Sequence, residues 1–302
     1  MKFTQLAVAV LATCASLSAM AQSITDGTSR TILPGLASSL TRPGVNVSGN
    51  ISATGTATGT ITQTGGGALT LANGSNDPLA RAGNTTPGGQ QVRIGGVEGN
   101  VNANNVTANG AATANISQTR IGALNGGNEQ IVAIGSVANT TGNDINVRGN
   151  VVGLITQVGA SGASGLNSQA IEVGSVDDTS AKNVNATGTL GAAVTQTSAN
   201  TLSLGNEQIV AVGSARRVEA NDLTLKGTVV GIVTQNEVNV SAAAVSQILN
   251  VGGANNVVSA KNIDANGTVR GFVTQISGSV GVGGNLQSVV VGGVQGANLN
   301  QQ

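Results

Sequence analysis

A line of alternating residues recurs six times along this chain, and every copy ends in glutamine. The first copy runs from Asn50 to Gln63, and the others end at Gln118, Gln157, Gln196, Gln235 and Gln275. After the first interval the spacings are 39, 39, 39 and 40 residues. A fixed period of this size belongs to stacked repeat architectures, in which each unit buries its apolar face only against its neighbours. Fold and function are therefore properties of the repeat before they are properties of single residues.

Within a copy, apolar residues alternate with polar ones at period two, which is a strand signal and not a helical one. In the third copy, Ile145, Val147, Gly149, Val151, Gly153, Ile155 and Gln157 share one face, which reads as inward. The first glycine recurs as Gly55, Gly110, Gly149, Gly188, Gly227 and Gly267. A strand glycine marks a bend or a close backbone approach, and a bend of the long strand is the expectation here. A shorter motif lies between the long ones and starts at Gln90, Gln130, Gln169, Gln208, Gln247 and Gln287. Its glutamine shares the parity of pairs such as Val132 and Ile134, so two glutamine columns face inward. A buried amide must find partners. Stacked copies supply them, because each amide can donate to the carbonyl of the next one along the axis.

The direction of stacking is legible in the charges. Asp177 and Asp178 are followed 39 residues later by Arg216 and Arg217. In a parallel stack these pairs lie about 4.8 Å apart. Asp144 and Asp222 sit in alternate copies, with Asn183 and Asn262 at the same position in the others, so like charges do not meet. Large outward residues (Val152 and Leu154, Val230 and Ile232) flank the small pair Gly191 and Ala193. The expected fold is all-β: a parallel β-solenoid with coils of about 39 residues. Each coil holds a long bent strand, a short strand and two Asn/Gly/Ser-rich arcs. An antiparallel meander or sandwich is the alternative.

Residues 1–21 read as a secretory signal peptide: Lys2, an apolar stretch from Leu6 to Leu17, then Ala19-Met20-Ala21. A lipoprotein reading at Cys14 is disfavoured by Thr13. Residues 22–44 form a leader or cap, 45–294 the repeat domain, 64–89 an enlarged loop and 295–302 a tail. All four prolines precede residue 90, as expected if later backbone N–H groups serve ladders. No amphipathic helix or Pro-rich segment caps the last repeat, and an uncapped solenoid edge is a sticky template.

Composition removes several function classes. The 13 basic and 13 acidic residues balance, and there is no His, Trp or Tyr; after loss of the leader no Cys is left and Phe272 is the lone aromatic residue. That leaves no His or Cys ligand or base, no stacking platform for single strands, no basic footprint for a duplex and no aromatic girdle for a membrane barrel. No later stretch can span a bilayer as a helix. Glu129 and Glu207 occupy one repeat position and read as decoration, not as a catalytic carboxylate pair. Asp177, Asp178, Arg216 and Arg217 could line a polysaccharide-lyase-like groove, but an inter-coil ion-pair ladder is favoured. The threonines from Thr54 to Thr62 suggest an ice-binding array, which other copies break with Arg148, Val152 or Lys226.

With its leader, scarce aromatics, Gly/Asn/Gln/Ala-rich repeats and inward glutamines bracketing two strands, the chain resembles the secreted bacterial functional amyloids of the curlin and Fap types. The resemblance covers residues 45–294. It implies an extracellular, self-assembling fibre subunit of a surface or biofilm matrix, with no enzymatic activity and no cofactor. A monomeric surface adhesin or ligand-binding solenoid, ice-binding included, is the second reading, and a carbohydrate-active enzyme the third.

Overall fold

A computed structural model shows the chain as a parallel β-solenoid of about five turns, with no helix among the described residues. The structure describes residues 22–25, 30–32, 45–46, 49–70, 90–125, 128–241, 245–255, 259–278, 280–281 and 285–295. The signal peptide at 1–21, most of the leader, positions 71–89 of the enlarged loop and the tail from 296 onward lie outside them. Among the described residues no helix is long and apolar enough to cross a membrane.

The strands, in chain order, are β1 (Gln22–Thr25), β2 (Arg30–Ile32), β3 (Val45–Asn46), β4 (Ile51–Thr70), β5 (Gln90–Ile94), β6 (Val97–Asn102), β7 (Asn105–Asn125), β8 (Asn128–Ile134), β9 (Val137–Val173), β10 (Val176–Val212), β11 (Ala215–Ser241), β12 (Val245–Val251), β13 (Ala254–Asn255), β14 (Ser259–Ser277), β15 (Val280–Gly281), β16 (Asn285–Val291) and β17 (Val294–Gln295). All pairings are parallel and keep the repeat register apart from shifts between Glu98 and Val101 and between Asn200 and Ser203. Gln196 lies beside Gln157 on one side and Gln235 on the other, and Asp177 lies between Ala138 and Arg216.

Several sequence expectations are corrected in detail. The arcs are not loops between strands: β9 and β10 each run for 37 residues, so the ladder follows the whole coil and breaks only at turns such as Gly174-Ser175. Even there Gly174 N–H donates to Ile134 O at 2.9 Å and Val176 N–H to Ser214 O at 2.9 Å. The physical reason is that a neighbouring coil offers a matched backbone partner at every position, so leaving the ladder would strand polar groups. For the same reason the ladder runs past residue 64 as far as Thr70, into the segment expected as a loop, and includes Gln295, expected as tail. The leader strands β1 and β2, with β3 just after them, add to the first coil beside Ile61–Thr64, Gln91–Arg93 and Val101–Asn102.

Most of the apolar interior falls into two columns, with a small third cluster of Ile131, Ala133 and Ala170 on the other face of the short strands. Ile155, Val151, Ile171 and Val173 with their equivalents form one apolar column, and Ile145, Val147, Val137 and Val176 with theirs form another. Each fully buried Val or Ile contributes about 1.5–3 kcal/mol. Between the columns the coil is pinched, and this is the role of the first long-strand glycine. A methyl group on Gly188 would stand 2.2 Å from Val173 O and 2.3 Å from Gly213 N. The facing Gly213, at the turn, has φ of 56°. Glycine is required on both sides of this waist, by contact on one and by conformation on the other. The expected bend at this column is thus a close approach of two backbones.

Candidate functional site: two glutamine seams and the edge where they end

The long-motif glutamines form one seam. Gln118 Nε2 donates to Gln63 Oε1, Gln157 to Gln118, Gln196 to Gln157, Gln235 to Gln196 and Gln275 to Gln235, each at 2.8 Å. The short-motif glutamines form a second: Gln130 donates to Gln90, Gln169 to Gln130, Gln208 to Gln169, Gln247 to Gln208 and Gln287 to Gln247, at 2.7–2.9 Å. Parity in the sequence places these amides inward, but it does not reveal their second task, which is to stitch the two walls of a coil together. Gln196 Nε2 also reaches Gln169 O at 3.0 Å and Ile209 O at 3.1 Å on the short strands, and Gln169 Nε2 reaches back to Thr197 O at 3.0 Å. Both seams have one polarity, with every donor aimed at the preceding coil. Aligned amide chains of this kind polarise one another.

Both seams end at an edge on which no further strand is stacked among the described residues. Val210 and Leu249 are completely buried, whereas Val289, next in the same column, is 50% exposed. Val291 and Val294 are 43% and 49% exposed at positions that are buried one coil earlier. No described residue donates to Oε1 of Gln275 or Gln287. β14 to β17 therefore present core valines, amide acceptors and a free strand edge together. At the opposite end β1 to β3 lie along the first coil, with Ile24 opposite Gln63.

The four charged residues singled out from the repeat meet across adjacent coils. Arg216 clasps Asp177 with Nε at 3.3 Å from Oδ1 and Nη2 at 2.7 Å from Oδ2. Arg217 contacts Asp177 at 2.9 Å and Asp178 at 2.6 Å, and Arg216 lies 3.5 Å from Glu207. A bidentate pair with Asp177 at 5% exposure is worth more than a surface ion pair. Asp177→Asn and Arg216→Gln should each destabilise the fold, and denaturant titration of both singles and the double should show a coupling of at least about 1 kcal/mol. Strictly additive effects would contradict the contact.

Among the buried charges not singled out from the sequence, Arg120 and Glu237 are completely buried. They lie two residues past the long-motif glutamine, in a column of Gly65, Arg120, Gly159, Ser198 and Glu237. Arg120 is fully buried, its guanidinium N–H groups donate to no acceptor among the described residues, and burial lowers its pKa. Glu237 is fully buried too. Asn239 donates to its Oε1, Oε2 accepts no well-formed hydrogen bond among the described residues, and desolvation raises its pKa against the opposing effect of Asn239 and Asn206. A carboxyl with a raised folded pKa supports the fold only while protonated, and that support is lost as pH rises through the folded value. Glu237→Gln should therefore stabilise the protein at neutral pH, by on the order of 1–3 kcal/mol for a buried group short of partners. The gain should shrink in acid; a gain independent of pH in thermal melts would contradict this. The signal in the sequence was a charge at an inward parity position, which the alternation alone marks as apolar or amide.

Outside the wall, an open groove of about 600 Å³ follows the start of the long strands, past Asn105, Asp144, Asn183 and Asp222. Asn183 Nδ2 donates to Asp144 Oδ1 at 2.7 Å, and Asn262 Nδ2 to Asp222 Oδ1 at 2.6 Å. The alternation of carboxylate and amide is thus a second, external ladder. Comparison with protein-family models, curated proteins and solved structures finds no match. Function rests on the geometry alone.

Proposed function

We propose that the protein is a secreted structural subunit that assembles end to end into extracellular fibres of a surface or biofilm matrix. The observation that supports this is the open edge formed by β14 to β17, where two polar-ordered seams and the apolar column stop while still half in solvent. A second copy stacked there continues the ladder with the strands at its N-terminal end. Burying each exposed valine then contributes on the order of 1 kcal/mol, and the backbone edge is the template that an unprotected sheet offers. The interface is heterologous, so it does not close and it propagates as a filament.

The test is electron microscopy and sedimentation of residues 22–302, compared with a Val289→Lys/Val291→Lys variant. Both side chains are already half exposed, so the variant should keep the melting temperature of the parent. Filaments from the parent and monomers from the variant are expected. A parent that stays monomeric at high concentration, or a variant that still elongates, contradicts the reading. The external Asn/Asp groove favours the second reading, a monomeric ligand-binding or adhesive solenoid, and monodisperse behaviour of both proteins would turn the balance towards it.

A further inference from the structure

The outward face of the second half of the long strands carries large apolar residues that no other part of the described chain covers. Val152 and Leu154 are 48% and 42% exposed, and Val230 and Ile232 are 49% and 47% exposed. Between these two ridges lies a furrow. Gly191 sits beside Val152, and Ala193 sits between Leu154 and Ile232. The outward columns on either side of the ridges are mostly threonine, and the four columns from residue 150 to residue 156 hold a single charge, Arg270, at the last coil. An apolar, nearly uncharged face on a sheet marks an interaction site.

We infer that this face pairs with the same face of a second copy, ridge into furrow. The ridge of Val152 and Leu154 and the adjoining furrow of Gly191 and Ala193, about 4.8 Å apart, fit the same pair on a second copy when the two solenoids run antiparallel. The relating two-fold axis runs parallel to the strands, between the coils of β9 and β10. Rotation about it sets Val152 over Gly191 of the second copy and Leu154 over its Ala193, and the same contacts recur in reverse, as an isologous interface requires. It also opposes β7 to β11 and β4 to β14, so all six long strands find a partner. Arg270 then meets Thr58 of the second copy, with no like charge against it. An offset of zero coils sets ridge on ridge and is excluded by shape.

Area sets the strength. The four columns span about 20 Å along the strands and about 24 Å across six of them, or roughly 500 Å² per copy at the usual spacings. The pair buries roughly 1,000 Å², at the lower limit for a specific interface. A single pair is therefore weak. The contact does not depend on end-to-end assembly; if fibres form, each subunit repeats it and side-by-side bundling follows from many weak contacts.

The test uses the Val289→Lys/Val291→Lys protein, in which end-to-end growth is blocked, so that any dimer is lateral. Sedimentation equilibrium should show a concentration-dependent monomer–dimer equilibrium. Leu154→Lys/Ile232→Lys in that background should weaken it tenfold or more. The decisive variant is Gly191→Val/Ala193→Leu, which adds apolar surface but fills the furrow. A Cβ on Gly191 has no neighbour nearer than 3.5 Å, so the fold accommodates it. Weaker dimerisation, again by tenfold or more, is the expected result. Tighter dimerisation would mean general stickiness and would overturn the inference, as would a parent that remains monomeric at millimolar concentration, with the face left for some other partner. If the wild-type protein forms no filaments but the blocked protein still dimerises, the end-to-end reading fails and this one stands.

Discussion

Gly188→Ala should unfold the protein or destabilise it by more than about 4 kcal/mol, while Gly191→Ala, three residues along the same strand, should leave stability unchanged within about 1 kcal/mol. Overpacking that side chains can absorb costs about 1–3 kcal/mol. At Gly188 the obstacles are the backbone atoms Val173 O at 2.2 Å and Gly213 N at 2.3 Å, which are hydrogen-bonded to each other across adjacent coils at 2.8 Å. The waist cannot open without breaking ladder bonds in neighbouring coils, which puts the substitution among the exceptional single changes. At Gly191 the nearest atoms are 3.5 and 3.8 Å away, an ordinary contact, and alanine removes some of the freedom that glycine has in the unfolded chain. Urea titration of the two variants checks the contrast. Equal effects would mean that the two interior compartments are not separated by a backbone contact at the first glycine of the repeat.

Gln196→Glu should cost more than about 4 kcal/mol at neutral pH, more than Gln196→Ala, although it is the smaller change in shape. In the protein Gln196 Nε2 faces three acceptors, Gln157 Oε1 at 2.8 Å, Gln169 O at 3.0 Å and Ile209 O at 3.1 Å. A carboxylate would present oxygen to all three, and Gln235 Nε2 would be its one donor from the seam. Alanine leaves the same acceptors unpaired and a cavity, but no buried charge. The sign with pH follows from the environment. Acceptors and burial disfavour the ionised form, so the glutamate's folded pKa is raised, and its damage appears as pH climbs through that value. At about pH 4 the protonated acid donates one hydrogen bond and part of the loss should return. A melting curve as insensitive to pH as the parent's would argue that Gln196 is not in a closed seam.

Much of this architecture was legible because the period survives at every level. Alternation in Asp144–Gln157 names the inward face, and recurrence at 39 residues names the neighbour on which that face rests. The pairing of Asp177 with Arg216 could be read for the same reason: unlike charges at one repeat position belong together only in a parallel stack. The waist was harder, since a glycine in a strand signals a bend and a close approach alike. Its partner, the turn glycine of the short motif, is distant within the coil and recognisable as a partner only once the coil is closed. Arg120 and Glu237 were missed because parity predicts which way a side chain points but not whether charge is tolerated there. The common polarity of the two seams was not legible, since an amide in a sequence carries no direction.

The most direct measurement is the mass per unit length of filaments formed by residues 22–302, by dark-field electron microscopy. End-to-end stacking of intact solenoids places one chain in roughly 30–35 Å of axis, about one rung of 4.8 Å for each long strand and one for the N-terminal strands. One chain per about 4.8 Å would instead mean that the chains had flattened and stacked as identical segments, and would contradict assembly through the open solenoid edge.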